Sequence, residues 1–131
     1  MIKIFTDGGA RGNPGPAAYG FVVKVDDKTV KKEGGYLGIA TNNFAEYTAL
    51  IKALGWAKKE FEGKDLNVFL DSQLVVYQLS GLYKIKNAKI RELVLEVRGL
   101  EASFGKVNYI HIPREKNKEA DTQVNIALDA Q

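Results

Sequence analysis

Two hydrophobic periods alternate along the chain. Residues 2–6 (Ile-Lys-Ile-Phe-Thr) alternate apolar and polar positions and predict a strand that ends at Asp7. The dense turn-forming run Gly8-Gly9-Ala10-Arg11-Gly12-Asn13-Pro14-Gly15-Pro16 follows. A second strand is predicted over 18–25 (Ala-Tyr-Gly-Phe-Val-Val-Lys-Val). After the polar turn Asp26-Asp27-Lys28 a third runs from Thr29 to Leu37, which makes an antiparallel meander. The period then lengthens. Ala45, Ala49, Leu50, Ala53, Leu54 and Ala57 recur at helical spacing behind the capping residues Thr41-Asn42-Asn43, and this helix stops near Gly63.

The second half repeats the switch. Leu66 to Leu70 is a short apolar run, read as a buried strand closed by Asp71. Asp71 or Ser72 then caps a short helix carrying Leu74, Val75 and Leu79, stopped by Gly81. Ile90, Leu93, Val94, Val97 and Leu100 mark a third helix, and Val107 to Ile112 a fifth strand broken by Pro113. Asn117 is placed to cap a last helix with Ala120, Val124, Ala127 and Leu128 inward. The order βββαβααβα joins a meander to strand–helix–strand crossovers, so an α/β fold with a mixed sheet flanked by helices is expected. No repeat, low-complexity tract or linker interrupts it. One domain over residues 1–131 is expected, because domains of about 100–150 residues are the commonest size.

Composition removes several chemistries. The chain has no Cys, which excludes disulfides, thiolate zinc sites and thiol nucleophiles, and a single His (His111), which excludes a cluster of imidazole ligands. No stretch approaches the ~18–20 apolar residues of a membrane span. The opening residues reach Lys3 and Asp7 and do not read as a signal peptide, so a cytoplasmic monomer is expected. A net charge of +3 is too small to indicate nucleic acid by itself. Its placement says more: Lys84, Lys86 and Lys89 gather in one stretch and Arg114, Lys116 and Lys118 in another, and either could meet phosphates. The Lys/Glu richness, single Met and absent Cys fit heat adaptation.

Nucleophilic catalysis has no support, for there is no Gly-x-Ser-x-Gly elbow. The glycine-rich run matches neither the dinucleotide fingerprint nor the Walker loop, and on spacing alone it reads as a hairpin-type turn. The carboxylates are more informative. Asp7 and Asp71 each sit where an apolar strand meets a polar break, and on adjacent parallel strands they would emerge at one sheet edge, where ligands of open α/β sheets bind. Glu46 lies one turn into the first helix and Asp121 in the first turn of the last. Converging acids repel unless a hard divalent cation joins them, and Mg²⁺ takes few carboxylates together with waters and substrate phosphate. Separate caps or surface acids are the plainer alternative for each residue singly.

Four motifs, in order, now carry a resemblance: Thr6-Asp7-Gly8-Gly9-Ala10-Arg11-Gly12-Asn13-Pro14-Gly15-Pro16, Thr41-Asn42-Asn43-Phe44-Ala45-Glu46, Asp71-Ser72-Gln73 and Asn117-Lys118-Glu119-Ala120-Asp121. The chain resembles ribonuclease H, type 1, over nearly its whole length, in a form without the long basic handle that many bacterial members carry before the third helix. The resemblance implies a ribonuclease H-like, five-stranded mixed sheet of order 3-2-1-4-5, with Asp7, Glu46, Asp71 and Asp121 as the catalytic, metal-binding set. It implies hydrolysis of the RNA strand of an RNA–DNA hybrid by two Mg²⁺ ions about 4 Å apart, with Mn²⁺ as a possible substitute, giving 5′-phosphate and 3′-hydroxyl ends. Asp7 would bridge both ions, and Asp121 would complete the site of the ion that handles the attacking water.

The same resemblance makes Gly12, Asn13, Asn42 and Asn43 contacts to the minor groove, where an RNA strand shows its 2′-hydroxyls. It makes Thr41 and Asn87 a pocket for a DNA-strand phosphate, with Asn117 near the substrate. Phosphate contacts carry no sequence information, so cleavage is expected to be largely sequence-independent. Thr41 to Asn43 serve equally as helix caps, and the two roles can coexist. Where many relatives carry a mobile loop histidine, this chain has Arg114, which is expected to hold a phosphate rather than act as a base. His111 is expected to be a strand side chain. The rival functions are a DNA-directed nuclease or transposase with the same sheet, an enzyme that also cleaves double-stranded RNA, and a non-catalytic hybrid-binding module.

Overall fold

A computed structural model describes all residues, Met1–Gln131. Five strands form one sheet: β1 (Ile2–Ala10), β2 (Gly15–Val25), β3 (Lys28–Ala40), β4 (Leu66–Leu70) and β5 (Val107–His111). The helices are α1 (Asn42–Glu60), α2 (Gln73–Leu79), α3 (Ala88–Glu101) and α4 (Lys118–Asp129), with a single 3₁₀ turn over Arg114–Lys116 before α4. The order across the sheet is β3-β2-β1-β4-β5, as expected. β1, β2 and β3 are antiparallel neighbours, while β4 and β5 run parallel to β1. No helix is long and apolar enough to cross a membrane.

The pleat divides the core. Ile4, Tyr19, Phe21 and Val23 face a large apolar cluster built with Tyr47, Leu50 and Leu54 of α1, Val75 of α2, and Ile90, Leu93 and Val97 of α3. On the opposite face Ala18 packs against Val124 and Leu128 of α4. Successive strand residues point to opposite faces, so the helices are distributed by residue parity along β1 and β2.

Three of the strands are longer than the hydrophobic pattern indicates, β2 among them because it begins at Gly15 and not at Ala18. β1 does not stop at Asp7: Gly8, Gly9 and Ala10 continue the ladder opposite Tyr19, Ala18 and Ala17. The turn-rich run is therefore mostly hairpin strand, and only residues 11–14 turn. Cross-strand pairing supplies the extension, and it leaves no local signature in a glycine-rich segment. β3 likewise runs to Ala40, paired with Gly15 of β2. The last strand is one residue shorter than expected, ending at His111.

Candidate active site

The parallel half of the sheet explains where the acids meet. Thr6 pairs with Leu70 in the last rung between β1 and β4, and the next residue on each strand is an aspartate. Asp7 and Asp71 thus leave the sheet side by side at the carboxyl ends of two parallel strands. Asp7 lies opposite Gly20 in the β1–β2 ladder, and a β-carbon on Gly20 would stand 2.6 Å from the Ala120 carbonyl. That bare backbone admits the start of α4, which carries Asp121.

Gly8 does the same on the other face. A β-carbon there would fall on the Ala45 carbonyl and 2.5 Å from the Glu46 nitrogen, so α1 presses against β1 at this residue. The Gly8 N–H donates to Glu46 Oε1 at 3.4 Å. The helix that presents Glu46 starts at Thr41, whose hydroxyl accepts from the Phe44 N–H at 3.1 Å.

The oxygens of Asp7, Glu46 and Asp71 lie within 4.8 Å of one another. Asp7 is 5% exposed and Glu46 8% exposed, and no carboxylate of the three pairs with a lysine or arginine. The consequence is electrostatic. Burial first, then the neighbouring Asp71 charge, push the Asp7 carboxyl up from its ordinary 3.8 to about 8. Burial, then the charges of Asp7 and Asp71, hold Glu46 well above its ordinary value. Glu46 Oε2 is buried without a hydrogen-bond partner. A hard divalent cation resolves both features at once: it neutralises the cluster and gives that oxygen a ligand role, so the donor set fits such an ion.

The three acids line an open cleft of about 690 Å³ whose walls also include Asp121, Asn13, Asn42, Asn43 and Arg114. Asp121 faces Asp7 but stands outside the tight trio, and the Asn125 amide donates to its Oδ2 at 3.2 Å. A second groove of about 660 Å³ is walled by Thr41, Asn87 and Lys89, and it meets the cleft at Asn13 and Asn43. Asn87 also caps α3 through a bond from the Ile90 N–H at 3.1 Å. Gly12 adopts a left-handed φ of 91° in the turn beside Asn13. His111 is exposed and does not line the cleft.

Three features differ from the sequence reading or were absent from it. Asn117 does not cap α4 with its side chain and does not reach the substrate face. It is 1% exposed, and its amide donates instead to the Thr6 carbonyl at 2.8 Å and to Asp71 Oδ2 at 3.2 Å. Asn13 and Asn42 act as clamps. Asn13 Oδ1 accepts from the Asn42 N–H at 3.0 Å and Asn42 Oδ1 from the Ala10 N–H at 2.8 Å, which pins the β1–β2 turn to the start of α1. Asn125, an i+4 neighbour of Asp121 on α4, carried no sequence signal beyond that spacing.

Comparison with known proteins gives concordant matches. A family model described as Reverse transcriptase-like matches residues 5–127. The chain is 44% identical over 131 residues to the Bifunctional protein Rv2228c of Mycobacterium tuberculosis, covering 98% of this chain and 36% of that protein. It is 42% identical over 129 residues to Ribonuclease HI of Halobacterium salinarum, covering 98% of this chain and 64% of that one. The chain thus spans between about a third and two thirds of these relatives' lengths. Among solved structures, LC11-RNase H1 in complex with an RNA/DNA hybrid superposes with a TM-score of 0.94 at 39% identity, covering 99% of this chain and 98% of that one. With the sheet order, the acid trio and these matches together, the chain belongs to the type 1 ribonuclease H family.

Proposed function

We propose that this protein is a metal-dependent endonuclease that hydrolyses the RNA strand of RNA–DNA hybrids, largely without regard to sequence, leaving 5′-phosphate and 3′-hydroxyl ends. The observation that carries the reading is the unneutralised convergence of Asp7, Glu46 and Asp71 at the floor of an open cleft. With Asp121 they would hold two Mg²⁺ ions, which Mn²⁺ would replace. Divalent ions there supply the Lewis acidity that hydrolysis of a phosphodiester needs.

The chain's own groups do the positioning. Asn117 fixes the Asp71 carboxylate, and the Gly8 N–H orients Glu46. Asn13 and Asn42 spend their amide oxygens on the protein, which leaves their amide nitrogens to donate to a ligand. Donors at the Gly12–Asn13 turn and at Asn42–Asn43 suit the 2′-hydroxyls of an RNA strand in a wide, shallow minor groove. Thr41 and Asn87, in the adjoining groove, suit a phosphate of the DNA strand, and Arg114 a phosphate beside the acids.

The test is a cleavage panel of end-labelled RNA–DNA hybrid, RNA duplex, single-stranded RNA and DNA duplex, with Mg²⁺ and with EDTA. The expected result is metal-dependent loss of the hybrid's RNA strand alone. Cleavage of DNA duplex at a comparable rate would replace the reading with a DNA-directed nuclease. Cleavage of RNA duplex would widen the substrate class, and binding without cleavage would leave a hybrid-binding module. LC11-RNase H1, which is complexed with an RNA/DNA hybrid, supports the choice of substrate.

A further inference from the structure

The cleft that holds four carboxylates has two cations among its walls, Arg11 and Arg114. In sheet order they stand on either side of the acids: Arg11 at the β1–β2 turn, Arg114 after β5. Their states differ. Arg114 has no acidic partner, whereas Arg11 is bonded by its guanidinium to Asp129 Oδ1 at 2.6 Å, at the end of α4.

The backbone of Arg11 is fixed. Its N–H donates to the Pro16 carbonyl at 2.8 Å, and the asparagine clamps hold the turn on either side. Its side chain is held by that one ion pair, with side-chain exposures of 51% and 67% for the two partners. A pair so exposed holds its members only weakly, and a phosphodiester presents the same oxygen geometry as the carboxylate that Arg11 already engages.

Resting on the hybrid-cleaving reading above, we propose that Arg11 is a substrate-binding residue that exchanges Asp129 for a backbone phosphate of the bound hybrid. Asp129 is then its counterion in the free protein and a competitor of the substrate. The exchange needs only rotation of the arginine side chain, because the turn that carries it stays pinned. It also gives the β2 side of the cleft the cation that a polyanion requires, matching Arg114 on the β5 side.

The two partners must then respond with opposite sign, which a purely structural ion pair would not do. Steady-state cleavage of an end-labelled RNA–DNA hybrid is measured with Mg²⁺ over a KCl series for wild type, Arg11→Gln and Asp129→Asn. Arg11→Gln is expected to raise KM roughly tenfold, with the loss in KM rather than kcat, and to make the dependence of log kcat/KM on log salt shallower by about one unit. Asp129→Asn is expected to lower KM by roughly threefold, since the phosphate no longer competes with a carboxylate. Both variants should lose the same small amount of Tm. If the two variants instead weaken cleavage together, or Arg11→Gln keeps both KM and the salt slope, the inference fails while the function stands. A wild type that neither binds nor cleaves the hybrid would remove the function and the inference together.

Discussion

The Asn117 amide donates to Asp71 Oδ2 and to the carbonyl of Thr6, the residue before Asp7, so one buried side chain ties the start of α4 to the ends of two parallel strands. It aims one acid of the trio and holds the helix that carries Asp121. Asn117→Ala should remove about 1–3 kcal/mol of stability, the cost of leaving buried acceptors unpaired. It should also weaken metal affinity or activity by roughly 10–100-fold, as losses of groups that orient metal ligands do. A Mg²⁺ titration of hybrid cleavage, run beside a denaturant melt, reads the two effects separately.

Gly8 sets a distance. Any side chain there meets the backbone of Ala45 rather than the movable end of another side chain, so α1 itself must give way. Gly8→Ala is expected to cost at least about 1–3 kcal/mol, the usual range for an overpacked site, and to move Glu46 away from Asp7 and Asp71. Cleavage should fall with the stability. A denaturant melt that matches wild type would show that α1 can yield.

Much of this was legible in the residues. The apolar periods place all five strands and four helices, and the acids stand out because each follows an apolar run or opens a helix. What periodicity cannot supply is proximity. That Gly9 and Ala10 are strand depends on Ala18 and Ala17 lying opposite them, a non-local pairing that a glycine-rich run does not advertise. Asn117 reads as a cap because asparagine before a helix usually is one, yet its Nδ2 donates to the Thr6 carbonyl and to Asp71, which turns the side chain so that its Oδ1 accepts from no N–H of α4. The clamps at Asn13 and Asn42 join residues 29 and 32 apart and become visible only once β1 and α1 are side by side.

Burial and the charge of Asp71 both disfavour an ionised Asp7 in the fold. Asp7→Asn removes the central charge and keeps the shape, so cleavage should be abolished while the metal-free protein melts higher at pH 8, by several degrees if about 1–2 kcal/mol is relieved. Thermal melts in EDTA and hybrid cleavage in Mg²⁺ check the pair of outcomes. Near-normal turnover in the variant would remove Asp7 from the reacting centre.

The raised Asp7 carboxyl also fixes a pH dependence. Its value is about 8 in the folded protein against an ordinary 3.8, so between those values the fold retains a proton that the unfolded chain has released. The contribution is fully present below about pH 4 and is lost as pH rises through 8. Glu46 acts in the same direction. The metal-free protein should therefore be more stable at pH 5 than at pH 8. Mg²⁺ should stabilise more at pH 8, because it binds the ionised acids. Urea melts at both pH values, with EDTA and with Mg²⁺, give the four stabilities to compare.

His111 and Arg114 divide the remaining question about proton handling. His111 ends β5 on an exposed position outside the cleft, whereas Arg114, three residues later, lines it. An imidazole must come within hydrogen-bond reach of the reacting groups to act on them, and a guanidinium stays charged and can only bind. His111→Ala should therefore leave turnover within about twofold of wild type, whereas general acid–base residues typically supply about a hundredfold or more. Arg114→Ala should raise KM by roughly tenfold and make the salt dependence shallower, as the loss of one phosphate contact does. A turnover loss of about a hundredfold in a folded His111→Ala protein would mean that the residue reaches the cleft when substrate is bound, and would transfer the proton-handling role to it.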